Sequence, residues 1–187
     1  MLDEPGRTTL LAIARAAITA YVNGGPRRPP QVTGEVERPG GAFVTIHNHG
    51  ELRGCIGHIE ADRPLAQVVA DCAVAACSTD PRFPAVTAAE LPQLEIEVSV
   101  LGPLEPIDDP TEISVGRHGL VVEMGWQRGL LLPQVATEWH WDRMTFLEQT
   151  CHKAGLPRDA WKNGAKVWRF EAQVFAEPHR ETSERSV

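Results

Sequence analysis

The sequence is short of several things at once. No cluster of lysine or arginine exceeds Arg27-Arg28, and the formal net charge is −7. Binding nucleic acid through its phosphates requires a basic stripe that displaces counterions. Nucleic acid is therefore not the expected ligand, and a nucleic-acid-binding regulator is the weakest functional reading. No apolar run approaches the ~20 residues of a membrane span, so no membrane partner is expected. Met1-Leu2-Asp3-Glu4 has none of the charged-then-apolar character of a secretion leader. Cysteine is scarce, with four residues unevenly spaced at 55, 72, 77 and 151. A reduced, cytoplasmic protein carrying thiols rather than disulfides is the expectation.

Metal-site spacings are missing too. His47-Asn48-His49 crowds two imidazoles into a turn, and Cys55 stands a ligand-like gap from His58. Neither pattern is doubled as in a zinc site, and Cys72 and Cys77 do not share a helix face. No metal and no cofactor is expected. Glycine-rich phosphate loops, a serine elbow and kinase signatures are also absent.

What is present is a chain of 187 residues, 42% of them apolar, enough for one domain with a sizeable core. Leu10, Ala14, Ala17, Ile18 and Tyr21 recur at helical spacing, which predicts a first helix from Thr9 to Val22 capped by Thr8 or Thr9. Residues 24–40, rich in Pro, Gly and Arg, read as an exposed loop. Residues 42–47 and 52–59 read as paired strands around Asn48-His49-Gly50. Pro64 opens a helix, with Asp62 near its cap and a buried stripe of Leu65, Val68, Val69, Cys72 and Ala76. Thr87-Ala88-Ala89-Glu90 is a capping box. Residues 94–100 alternate strictly, the cleanest strand signal in the chain. Residues 119–124 and 129–132 form a hairpin, Asp142 opens a helix closed by Gly155, and residues 168–174 alternate in a last strand. The tail from Glu177 is polar and reads as frayed. Strands in adjacent pairs, with helices between pairs, predict an α+β fold with a mainly antiparallel sheet flanked by helices.

The run Leu52-Arg53-Gly54-Cys55-Ile56-Gly57 is chemically the densest stretch. Glycine in a strand marks a bulge or a close approach to the backbone, here at Gly54 and Gly57. Arg53, two residues from Cys55, would share its strand face and favour the thiolate. The alternative is a small buried cysteine that only packs. Asp80-Pro81-Arg82-Phe83-Pro84 places an acid and a guanidinium around a rigid proline. It reads either as an anion clamp or as a helix stop in which Asp80 and Arg82 bond backbone and each other. Glu97 shares a strand face with Glu95 and Ser99, and becomes a polar contact or proton acceptor if that face lines a cleft. Gln134, just after a buried strand, is placed to orient a ligand.

These runs, together with Gly119-Leu120-Val121-Val122, Leu131-Leu132-Pro133-Gln134-Val135-Ala136 and Cys151-His152-Lys153-Ala154-Gly155-Leu156, resemble in order and spacing the AMMECR domain family. Its bacterial and archaeal members are called protein A of the AmmeMemoRadiSam system. The resemblance spans residues 8–176. It implies an α+β fold with a smaller subdomain and an intervening cleft, the hallmark run lying in or beside that cleft. It also implies two partners, a Memo-like protein and a radical S-adenosylmethionine protein, but no settled activity. His58 departs from the pattern, standing where relatives often carry threonine, and receives no catalytic role. The expectation is a small-molecule enzyme or accessory subunit using Cys55, with Arg53, Gly54, Gly57, Asp80, Arg82, Glu97 and Gln134 contacting the ligand. The alternative is a non-catalytic protein-interaction or regulatory module.

Overall fold

Asp3 starts the first helix, not Thr8 or Thr9. In the computed structural model, which describes residues 1–26 and 30–178, α1 spans Glu4–Val22. The Asp3 side chain accepts from the Gly6 amide at 2.8 Å, with Pro5 in the first turn. An aspartate cap followed by a proline is a stronger start than a threonine. Thr9 instead donates to the Pro5 carbonyl at 2.8 Å. Leu10, Ala14 and Ile18 are fully buried, whereas Tyr21 stays largely exposed. Between 24 and 40 the chain makes a short 3₁₀ turn, Gly34–Glu37, that buries Val36. Arg27 and Arg28 lie outside the described residues.

The chain divides into two compact units, one formed by Met1–Val100 with the chain from Gln173 onward, the other by Leu101–Ala172. In the first unit β1 (Ala42–Asn48) lies between β2 (Glu51–His58) and β3 (Leu94–Leu101), antiparallel to both. Ala42, Val44, Ile46, Ile96 and Val98 point to one face and are buried with the stripe of α2 (Leu65–Ser78) and with α1. Asp62 does not cap α2. Pro64 holds that position, and Asp62 bonds His58 Nε2 at 2.7 Å. The C-terminal segment is held at Glu177, the first residue of the polar tail. Arg15 donates through Nε to Glu177 Oε1 at 2.9 Å, and the Glu177 amide donates to the Ile96 carbonyl at 2.9 Å. Residues 179–187 of that tail lie outside the described part.

In the second unit the strand order is β4 (Glu105–Ile107), β7 (Lys166–Ala176, as far as Ala172), β5 (His118–Met124), β6 (Gln127–Leu131), all antiparallel. Two helices accompany them, α3 (Pro133–Glu138) and α4 (Arg143–Lys153). Asp142 caps α4 by accepting from the Thr145 amide at 2.7 Å, and Gly155, at φ +74°, closes it. Leu120, Val122, Phe146, Leu147 and Cys151 form the core of this unit. β4 and α3 carry no periodic signal, having three and six residues. The fold is α+β, with antiparallel sheet and, among the described residues, four flanking helices, as the strand pairing in the sequence implied.

Candidate ligand site around Cys55

Pairing between β1 and β2 decides where the hallmark run points. Thr45 faces Cys55 and Phe43 faces Gly57, and the register slips between Ile46 and His47 so that Arg53 is the extra residue of a bulge. The two glycines open to opposite faces. A Cβ on Gly54 would run into the Ala76 carbonyl oxygen of α2, and one on Gly57 into the Phe43 ring. Gly54 is thus required by close strand-to-helix packing, and Gly57 by the aromatic ring that lies over it.

Arg53 is held by the segment that follows α2. Its Nε donates to Glu90 Oε1 at 2.7 Å, and its Nη1 donates to the Pro84 carbonyl at 2.8 Å. Nη2 reaches Ala85 O and Glu90 Oε2, each at 3.3 Å. The Arg53 hydrogen bond holds the Glu90 carboxyl down at about 2. Glu90 also accepts from the Thr87 amide at 2.8 Å, one half of the predicted capping box; the other half is missing, because the Glu90 amide donates to the Thr87 carbonyl and not to its side chain.

Asp80 and Arg82 guard the outer edge of β2. The buried Asp80 carboxylate accepts from the Cys55 amide at 2.9 Å and from the Arg82 guanidinium at 2.7 and 3.0 Å. Arg82 Nη2 donates to the Cys55 carbonyl at 3.3 Å, and the guanidinium lies over the Phe83 ring at 5.4 Å. The Arg82 bond, helped by the two amides, holds the Asp80 carboxyl far below the usual carboxylate range. The pair offers β2 one acceptor and one donor, as a neighbouring strand would.

With its amide and carbonyl turned outward, Cys55 makes a non-hydrogen-bonded pair with Thr45, the arrangement that brings side chains closest. Thr45 Oγ1 lies 3.3 Å from Cys55 Sγ. On the other side Thr45 faces Glu97, and Phe43 faces Ser99. Cys55, Thr45 and Glu97 therefore form a row across three strands, on the face opposite the apolar core. Ser99 stands on the same face, 1% exposed, its Oγ without a hydrogen-bond partner among the described residues. Burial pushes the half-buried Cys55 thiol up. The Thr45 hydrogen bond and Arg82 pull it down, while Asp80 and Glu97 oppose them. The positive charge near the sulfur is Arg82's, not Arg53's. The other three cysteines are buried, and burial pushes Cys72 up to about 12.

The structure brings Arg53, Gly54, Cys55, Gly57, Asp80 and Arg82 onto or against β2, with Glu97 two strands away. Gln134 belongs to the second unit, in the first turn of α3, where its carbonyl accepts from Thr137 Oγ1 at 2.7 Å. Thr45 and Glu90 are the neighbours that sequence reading did not assign. Alternation in β1 placed Thr45 on a face with Phe43, but nothing local says which strand lies beside it. Among the described residues no three His, Cys, Asp or Glu side chains group as metal ligands would, and no helix is long and apolar enough to cross a membrane.

Residues 11–175, the span holding every element of this site, match the AMMECR1 family model. The chain belongs to the AMMECR1 family. A protein of Methanothermobacter thermautotrophicus is 47% identical over 183 residues, covering 93% of this chain and 95% of its own. One of Thermococcus gammatolerans is 47% identical over 190 residues, covering 95% and 92%. The crystal structure of an uncharacterized protein from Pyrococcus horikoshii superposes with a TM-score of 0.87 at 42% identity, covering 96% of this chain and 94% of that one.

Proposed function

We propose that this AMMECR1-family chain is a small-molecule-binding accessory protein whose ligand lies on the sheet face bearing Cys55, Thr45, Glu97 and Ser99. The observation that carries the reading is the buried Ser99 hydroxyl, without a partner among the described residues, on the same face as a half-buried thiol and a glutamate. Buried polar groups are nearly always satisfied, and an orphan asks for a ligand or an ordered water. Cys55 is a ligand contact, and becomes a nucleophile only when a bound ligand adds positive charge or removes the competing carboxylates. Arg53 and Arg82 hold β2 in place, and the exposed half of the Arg82 side chain offers an anionic group a second contact. Family membership supports action beside a Memo-like protein and a radical S-adenosylmethionine protein in the cytoplasm.

The test is protection. Cys55 labelling by iodoacetamide is followed by mass spectrometry with and without the low-molecular-weight fraction of a cell extract. Slower labelling of Cys55, with the bound species lost in Cys55→Ala and Ser99→Ala, is the expected result. Equal labelling, with no species retained by the unmodified protein in native mass spectrometry, removes the reading. The partial burial of Cys55, which pushes its thiol up, favours a second reading, a non-catalytic interaction module in which Cys55 only packs. That reading requires a complex with the purified Memo-like protein at micromolar concentration, unaffected by Cys55→Ala.

A further inference from the structure

We propose that Thr45 is the positioning residue for the Cys55 sulfur: from the adjacent strand its hydroxyl donates a hydrogen bond that orients the thiol and steadies the thiolate when it forms. The inference rests on Cys55 being the ligand-contacting group, and adds what governs its reactivity. Three observations converge. Register sets Thr45 directly opposite Cys55. Asp80 and Arg82 take the outward amide and carbonyl of Cys55, which makes the pair non-hydrogen-bonded and brings the side chains together. The resulting Oγ1-to-Sγ distance is 3.3 Å. A thiolate is an acceptor only, so in that state the hydroxyl must donate. The cationic alternatives are committed elsewhere, Arg53 to Glu90, Pro84 and Ala85, and Arg82 to Asp80 and the Cys55 carbonyl. Of the influences that lower the thiol, the Thr45 bond is the largest, ahead of Arg82.

The experiment is the alkylation rate of Cys55 against pH in the whole chain, for wild type, Thr45→Val, Thr45→Ala and Thr45→Ser. Valine keeps the shape and removes the donor, and serine keeps the donor. One hydrogen bond to an ionised group corresponds to a midpoint shift of about one pH unit. Valine and alanine are expected to raise the midpoint by that amount, with about tenfold slower labelling at neutral pH, while serine stays within a few tenths of wild type. Cys72, Cys77 and Cys151, all buried, report folding in the same spectra. A valine variant that labels them is unfolded, and the alanine–serine pair then decides. Equal midpoints in folded donor-free and donor-bearing variants overturn the inference. That outcome leaves the ligand reading standing, because protection of Cys55 by a ligand is measured separately.

Discussion

Two antiparallel hairpins, one in each unit, solve the same problems by different means. In β1–β2 the turn has both His49 (φ +52°) and Gly50 (φ +80°) left-handed, the type I′ pattern. In β5–β6 Gly125 (φ +63°) is followed by Trp126, whose φ is not positive, as in type II′. Both hairpins bring a glycine against a helix backbone, Gly54 against the Ala76 carbonyl and Gly129 against the Ala154 amide. There they part. β5 is buried along most of its length and packs on α4. β2 keeps one face polar and has its edge filled by Asp80 and Arg82 and its bulge pinned by Glu90. Where both faces of a strand are buried, as along most of β5, apolar packing suffices. Where a strand edge and a polar face stay open, charged side chains must complete the backbone, and those are the residues that gather around Cys55.

The sharpest way to break this comparison is to remove the feature the hairpins share. Gly54→Ala and Gly129→Ala each drive a methyl into helix backbone, and each is expected to destabilise its own unit by about 3 kcal/mol. Because all five tryptophans lie at 126–168, inside the second unit, intrinsic fluorescence during urea unfolding reports Gly129→Ala directly. Gly54→Ala is read from labelling of Cys72 and Cys77. A methyl tolerated at either position contradicts the close approach described.

Next in size is the Arg53–Glu90 lock of the first hairpin. Arg53→Ala leaves Glu90, among the described residues, with Thr87 as its remaining partner and takes the Arg53 donor from two carbonyls, and is expected to cost about 2 kcal/mol. The Glu90 carboxyl is held at about 2 in the folded chain, below its ordinary value of 4.5. Its contribution is therefore complete above pH 4.5 and is lost as pH falls toward 2. Asp80 acts in the same direction. Arg53→Ala should flatten the acid limb of the stability profile in that window, and an unchanged limb would disprove the lock.

The second unit has its own titration at higher pH. His118 is buried, and its Nδ1 accepts from the Ser114 amide at 3.0 Å. Burial, with Arg169 and Arg117 nearby, lowers its pKa, while Glu171 and Glu105 oppose that. The unfolded chain binds the proton first, so stability should fall as pH drops below about 6.5. Tryptophan-monitored urea midpoints measured from pH 7.5 to 5.5 should show that slope, and His118→Phe should remove it.

The turns give the smallest effects. His49→Asn places a residue that tolerates the left-handed region in the type I′ turn, and is expected to raise stability by about 0.5 kcal/mol. Trp126→Ala, at a 92% exposed tip, should shift the urea midpoint by less than the equivalent of about 0.5 kcal/mol.

Much of the architecture was legible because its signals are local. Alternation in residues 42–47 and 94–100 marks strands with one face buried, and Asp142 with Gly155 brackets α4 by capping chemistry. α1 was read too short because Asp3 stands outside the apolar stripe that announced the helix. α3 and β4 are too short to show a period. In the site, Arg53, Cys55, Asp80, Arg82 and Glu97 stood out as residue types. The link from Arg53 to Glu90 was hidden, because 37 positions separate the partners and Glu90 already had a local explanation in its capping box.

The amino-acid sequence by itself determined the longer elements, the apolar faces and the family, since periodicity, caps and a motif in order are properties of neighbouring residues. Only the tertiary structure decided that Thr45 touches the sulfur, that Arg82 rather than Arg53 supplies its nearby positive charge, and that burial pushes the thiol's pKa up. Those facts depend on strand register, on a one-residue bulge and on burial, which come into being only when distant segments pack.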